Sequence, residues 1–277
     1  MTRAVRPLIM GVVNVTPDSF SDGGRWLDPD AAIAHGLQLA RQGADILDVG
    51  GESTRPGAAR PPLEVERERV LPVVAGLTAE GLRVSVDTMR AEVAEGALER
   101  GASLVNDVSG GLADPAMAPL VAEAGVPFVA MHWRAHSDRM DRHAVYDDVV
   151  GEVVAELRQR VDALLAAGLA EEQVIVDPGF GFSKNAEHNW ALIKRLDAVV
   201  AMGHPVLVGT SRKRFLGRLD PSLPPDAEPT PPTERDAATA ATSLLAAQHG
   251  VWGVRVHDVP GTRDALLVWE QVRRARG

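Results

Sequence analysis

"RVSVDTMRAEVAEGALERGASLVND" (residues 83–107) holds the pattern that decides the fold. "RVSVD" (83–87) and "SLVND" (103–107) are short apolar runs, each closing on an acidic residue. Between them "RAEVAEGALERG" spaces its apolar residues at the helical period and stops on a glycine, the usual end signal of a helix. Near-continuously apolar strands that alternate with helices indicate a parallel sheet covered on its outer face.

The same unit recurs on both sides. Further strands are expected at "LIMGVVN" (8–14), "ADILDVGG" (44–51), "PFVAMH" (127–132), "VIVDPG" (174–179), "PVLVG" (205–209) and "GVRVHD" (253–258), making eight in all. Helical stretches such as "DAAIAHGLQLARQG", "VVGEVVAELRQRVDALLAAG" and "DAATAATSLLAAQHG" separate them, again with terminal glycines. Eight strand–helix units in about 250 residues match a single α/β domain over residues 1–277, a (β/α)8 TIM barrel. An open doubly wound sheet is the structural alternative, but no GxGxxG follows the first strand to support a dinucleotide site. The Pro- and acid-rich "DPSLPPDAEPTPPTER" (220–235) breaks the rhythm and is expected to be a surface loop without chemistry.

Composition narrows the function. A net charge of −9 argues against a general nucleic-acid binder. With no cysteine there is no disulfide, thiolate nucleophile or cysteine-based zinc site. No stretch resembles a signal peptide or reaches the length of a membrane span, so a cytoplasmic protein is expected.

In such barrels the active site is built at the C-terminal ends of the strands. Those ends carry Asn14, the Gly50-Gly51-Glu52 turn, Asp87, Asn106, His132, Asp177, Ser211 to Lys213 and His257. One such residue is ordinary turn punctuation; eight at corresponding positions describe a polar pocket. Asp87, Asn106 and Asp177 supply carboxylates and an amide able to read the edge of a flat nitrogen heterocycle through paired hydrogen bonds. A divalent metal on the two aspartates is the competing reading, disfavoured because their neighbours are an amide and a lysine. A second, basic cluster lies in "TSRKRFLG" (210–217), with Arg212, Lys213 and Arg214, and in strand eight, where Arg255 and His257 share one face. The loops after strands seven and eight form the phosphate site of this fold, and "GESTRPG" (51–57) adds Thr54 and Arg55 in a turn suited to oxyanions. His132, His136 and His143 fit no metal-ligand spacing. "DPGFGFSKN" lacks the ending of a P-loop, and nothing forms a hydrolase triad.

Taken together, "MGVVNVTPDSFSDGG", "GADILDVGGESTRPGA", "VSVDT", "NDVSGG", "MHW", "DPGFGFSKN", "HNW", "LVGTSRKRFLG" and "VRVHDV" resemble one family, dihydropteroate synthase of folate biosynthesis, the target of sulfonamides. They span residues 8 to about 259 in the family's order, and "MHWRA" looks like the actinobacterial branch. The resemblance implies a transferase that joins 6-hydroxymethyl-7,8-dihydropterin pyrophosphate to p-aminobenzoate, releasing 7,8-dihydropteroate and pyrophosphate. It implies that Asp87, Asn106, Asp177 and Lys213 hold the pterin, that Met131, Phe182 and Gly209 are among the substrate-binding residues, and that Arg255 and His257 bind pyrophosphate with Thr54 and Arg55 nearby. Asn14 would reach Mg2+, the implied metal. Phe20, Pro56 and Ser211 would border p-aminobenzoate, with "TPDSFSDGG" (16–24) as a lid whose one aromatic covers the ring. Sulfonamides would compete with p-aminobenzoate, and a homodimer is the implied assembly. The alternatives are a pterin-binding methyltransferase domain, which would not need "STRPG" and "SRK", and a non-catalytic pterin-binding paralogue.

Overall fold

The computed structural model describes residues 6–16, 28–53, 60–136, 143–220, 222, 224 and 227–275. Strands β1 (Leu8–Asn14), β2 (Ile46–Gly50), β3 (Val84–Asp87), β4 (Leu104–Asp107), β5 (Phe128–Met131), β6 (Val174–Asp177), β7 (Leu207–Val208) and β8 (Gly253–Val256) form one parallel sheet. Its order is β6-β5-β4-β3-β2-β1-β8-β7, so the two ends of the list are consecutive in sequence. A parallel bridge between Val176 and Val206 joins them and closes the eight strands into a barrel. The open doubly wound alternative is thereby excluded, because such a sheet keeps two free edges.

Helices α1 (Pro29–Gln42), α2 (Leu63–Ala79), α3 (Ala91–Leu98), α4 (Met117–Ala124), α5 (Val149–Ala166), α6 (Ala186–Lys194), α7 (Leu196–Val200), α8 (Asp236–Gln248) and α9 (Val259–Arg274) surround the strands. The opening stretch shows how the local signals work. The α3 N-terminus is closed by Asp114, whose carboxylate accepts the Ala91 N–H at 2.8 Å. Its exit ends at Gly101, which takes φ of 92°, a conformation open to glycine at no steric cost. None of the described helices is long and apolar enough to cross a membrane.

Alternation along the strands divides the core. Residues facing the helices form one continuous apolar shell, including Val13, Val49, Val86, Val105, Ala130, Val176 and Val254. Facing inward, Met10, Ile46, Leu104, Val129, Ile175 and Leu207 form a separate apolar plug, with Leu8 and Trp252 beneath it. Side chains two residues further along a strand return to the same face. The next inward positions after Ile46, Leu104 and Ile175 are therefore Asp48, Asn106 and Asp177. The barrel interior changes from hydrocarbon to polar groups within one tier, and the plug is the floor on which that tier stands.

Leu104 is fully buried in the plug. Leu104→Ala is expected to lower unfolding free energy by about 2–5 kcal/mol, as cavities of this kind do. Urea unfolding followed by circular dichroism reads this directly, and a loss under about 1 kcal/mol would show that the plug is not packed as described.

Candidate active site

The polar tier is organised by Arg255. Its Nε donates to Asp48 Oδ2 at 2.6 Å and its Nη2 to Asp87 Oδ2 at 2.6 Å. Asn106 Nδ2 donates to the same Asp48 oxygen at 3.0 Å. Strands β2, β3 and β8 therefore meet at one guanidinium, and β4 joins them through Asn106 and Asp48; Asp87 is level with Asn106 on β4 and with Gly50 on β2, while Arg255 is level with Met10 on β1. Asp48 is fully buried, and its Oδ1 has no hydrogen-bond partner among the described residues. A buried carboxylate oxygen left without a donor is costly. Burial raises the Asp87 carboxyl above its ordinary value, with Arg255 pulling it back down.

Asp177 ends β6 on the adjacent wall. Its Oδ1 accepts the Gly179 N–H at 2.7 Å. Burial pushes this carboxyl up to about 6, opposed by that N–H and by the charges of Lys213, Lys184 and Arg255. Lys213 lies with its ammonium 4.0 Å from the centre of the Phe182 ring, a cation–π contact. Burial, and then the neighbouring Arg255 charge, push Lys213 down to about 8, against the pull of Asp177 and Asp87. Its stem crosses Gly181, where an added Cβ would come within 2.9 Å of the Lys213 Cδ and where φ is 74°. Both space and backbone conformation therefore reserve that position for glycine. Met131 and Phe182 pack together in a small apolar cluster with Val108 and Trp133. Gly209 leaves open the gap between Asp177 Oδ2 and the Arg255 stem, 3.7 and 3.9 Å from where its Cβ would stand.

The third wall is the turn after β7. Ser211 Oγ and His257 Nδ1 are 2.9 Å apart, and the His257 N–H donates to the same hydroxyl at 3.1 Å. Arg212 takes φ of 58°, rare outside glycine. It is held there from α8: its N–H donates to Thr239 Oγ1 at 3.2 Å and its guanidinium grips Asp236 at 2.7 and 2.8 Å. Arg235 completes the brace, donating to the Arg212 carbonyl at 2.9 Å and the Thr230 carbonyl at 2.6 Å. The basic run "RKR" is thus split, with Arg212 bound to α8, Arg214 exposed and Lys213 entering the site. The Pro-rich 220–235 segment, expected to be free of chemistry, ends in the buried Arg235 that holds this turn.

The structure therefore brings Asp87, Asn106, Met131, Asp177, Phe182, Gly209, Ser211, Lys213, Arg255 and His257 to one end of the barrel. Asn14 ends β1 at the same mouth, level with Gly50 on β2 and half-buried. Phe20, Thr54, Arg55 and Pro56 lie outside the described residues. His132 does not join the pocket. It follows the inward Met131 and turns to the helix layer, its Nε2 2.9 Å from Glu156 Oε2. Asp48 is the residue that sequence reading missed. It sits inside a strand rather than at its end, yet its signal was present, a carboxylate on the inward parity of "ILDVG".

Among the described residues no group of three histidine or acidic side chains could cage a metal ion. Among the described residues, what Asn14 itself offers a metal is one amide oxygen. That fits Mg2+ of the kind carried in on a pyrophosphate, which keeps most of its ligands as water and phosphate oxygens.

Residues 10–257 match the family model described as pterin binding enzyme. The dihydropteroate synthase of Mycobacterium leprae is 57% identical over 94% of this chain and 91% of its own length. That of Bacillus subtilis is 44% identical over 92% of this chain and 84% of its own. Among solved structures, Xanthomonas albilineans dihydropteroate synthase with 4-aminobenzoic acid superposes with a TM-score of 0.87 at 46% identity, covering 97% of this chain and 93% of that one. The Yersinia pestis dihydropteroate synthase in a sulfonamide drug complex superposes with a TM-score of 0.90 at 37% identity, covering 97% and 95%. The chain belongs to the dihydropteroate synthase family of pterin-binding enzymes, close to an actinobacterial member.

Proposed function

We propose that the protein condenses 6-hydroxymethyl-7,8-dihydropterin pyrophosphate with p-aminobenzoate. The observation that carries this reading is the Asp48–Arg255–Asp87 cluster with Asp177 and Lys213 opposite, a tier matched to a flat, donor-rich ring beside a leaving anion. Relatives with 4-aminobenzoate and with 7,8-dihydropteroate support it, being 46% and 43% identical to this chain.

Asp87, Asn106 and Asp177 receive the amino and ring N–H groups of the pterin, which enters over Met131 and Phe182 and past the open face at Gly209. Lys213 donates to the ring's acceptors. Arg255 spends Nε and Nη2 on the two carboxylates and offers Nη1 to pyrophosphate, with His257 beside it. Thr54 and Arg55 join the same anion. Asn14 would hold Mg2+, which supplies charge neutralisation to the leaving group.

The bond between the exocyclic carbon and the bridging oxygen breaks, and its electron pair leaves with pyrophosphate. The cation left on that carbon is delocalised into the pterin, and the buried carboxylates stabilise it electrostatically. The arylamine nitrogen then forms the new C–N bond and gives its surplus proton to water. An arylammonium is acidic enough that no strong base is needed. The protein supplies orientation and fixed charge. Ser211, Phe20 and Pro56 border the p-aminobenzoate ring, where sulfonamides compete. Both substrates are small soluble anions, in keeping with a cytoplasmic location, which is part of the proposal.

Purified protein with Mg2+ is expected to release pyrophosphate only when both substrates are present; methyl transfer to a cobalamin, or no turnover, would sink the reading. Lys213→Ala should keep its fold by circular dichroism and lose about tenfold or more in pterin affinity, the effect of removing one charged hydrogen bond. Unchanged calorimetric affinity would refute that role.

The pH profile follows from the same groups. Asp87 and Asp177 must both be ionised to receive the pterin, so kcat/KM should fall as pH drops through about 7 and then about 6, above the ordinary carboxylate range because burial raises both. Lys213 must be protonated to donate, so kcat/KM should fall again as pH rises through about 8, below the ordinary lysine value because burial lowers it. A flat profile between roughly pH 5 and 9 would contradict both assignments.

A further inference from the structure

Lys184 follows Phe182 on the connection from β6 to α6, is only 9% exposed, and is used by no step above. Its Nζ lies 2.9 Å from His132 Nδ1, 3.1 Å from the Gly179 carbonyl and 3.1 Å from the Phe182 carbonyl. These are three acceptors, since the other His132 nitrogen faces the carboxylate of Glu156 at 2.9 Å and so carries the ring's proton. A neutral amine has two N–H groups and an ammonium has three. The geometry therefore specifies a charged lysine beside a neutral histidine. Burial, with the Lys184 charge next in size, pushes His132 down to about 4, in agreement with that tautomer.

The carbonyls that Lys184 holds belong to an unusual turn. Gly179, Gly181 and Ser183 take φ of 69°, 74° and 48°, every second residue in the left-handed region. Ser183 is not a glycine, so the backbone there is strained and the surroundings must hold it. An added Cβ at Gly179 would stand 2.5 Å from the His132 carbonyl, so the turn is pressed against the end of β5. The Gly179 N–H is the donor on Asp177 Oδ1. One ammonium thus ties the His132–Glu156 pair, the strained turn and the backbone donor of the pterin carboxylate into a single unit.

We propose that Lys184 is a positioning residue of the synthase reaction: its ammonium fixes the 179–182 turn and favours the ionised form of Asp177 that receives the pterin. This rests on the synthase reading of the site and deepens it. The groups facing Lys184 are Asp177 from β6, His132 and Arg134 from the end of β5, Glu156 from α5, Tyr146 ahead of α5, His188 from α6, and Lys213 from the turn after β7. Arg134 is occupied by Glu156 and Glu152 and lies over the Tyr146 ring. Burial pushes Lys184 down to about 7, with Asp177 the strongest pull upward. Its three acceptors call for the protonated form, the form that draws on Asp177.

The test is the acid limb of kcat/KM for the pterin pyrophosphate. Lys184→Met and Lys184→Gln both remove the charge, and each is expected to move the Asp177 step of that limb upward by roughly one pH unit while the Asp87 step stays in place. Lys184→Arg keeps the charge and should leave the limb within about 0.3 unit of wild type. A variant that folds without turning over is read by pterin affinity against pH. A purely structural lysine would lower stability without moving the limb, and an unmoved limb in a folded neutral variant overturns the proposal. Wild-type turnover tests the synthase reading separately. Should neither neutral variant fold, the wild type decides. Lys184, Lys194 and Lys213 are the only lysines of the chain, so 15N-lysine labelling resolves them. A slowly exchanging Lys184 ammonium at about pH 6 is expected, and a neutral amine there overturns the proposal.

Discussion

A buried carboxylate needs a cation, and here one guanidinium serves two of them. Arg255 on β8 reaches across the barrel to Asp48 on β2 and Asp87 on β3. Removing either partner from such a group leaves an uncompensated charge in a poor solvent, a strongly destabilising change. The tier therefore cannot vary one residue at a time. The remaining polar groups are arranged around it. Asn106 satisfies one oxygen of Asp48, and the apolar plug below excludes water that would weaken the fields.

The site is held in place from outside the barrel as much as from within. Two turns carry its movable-looking groups, and each contains a non-glycine residue at positive φ: Ser183 after β6 and Arg212 after β7. Both are clamped by helix-layer side chains. Asn189 of α6 accepts the Gly181 N–H at 2.7 Å, and Asp236 and Thr239 of α8 hold Arg212. Strain of this kind persists only where the surroundings over-determine it. The outcome is a lysine, Lys213, delivered over an aromatic ring with its stem confined by Gly181.

Much of this was legible in the sequence because strand alternation carries it. An apolar residue followed two places later by a polar one, as in Leu104 and Asn106 or Ile175 and Asp177, reports both the floor and the tier. The barrel followed from the same repetition. What escaped sequence reading depends on three-dimensional partners. Asp48 looked like an interior strand residue, and only its distance from Arg255 shows its part in the site. His132 stands at a strand end like its neighbours, yet parity turns it outward to Glu156. Arg212 and Lys213 are adjacent and equally charged, and a single positive φ sends one to α8 and the other to the pocket. Arg235 lies in a segment whose composition announces only a loop.

The barrel closes unevenly. β1 and β2 are paired along five residues, whereas β6 and β7 meet at the one bridge between Val176 and Val206, and β7 itself spans only Leu207 and Val208. This thin seam runs directly below Asp177 on one side and Ser211 to Lys213 on the other. Regions with few backbone bonds open at lower free energy than the rest of a structure. The pocket thus has one wall, on β1 to β4, tied by continuous backbone ladders, and another that hangs on a single bridge and on the side-chain clamps from α6 and α8.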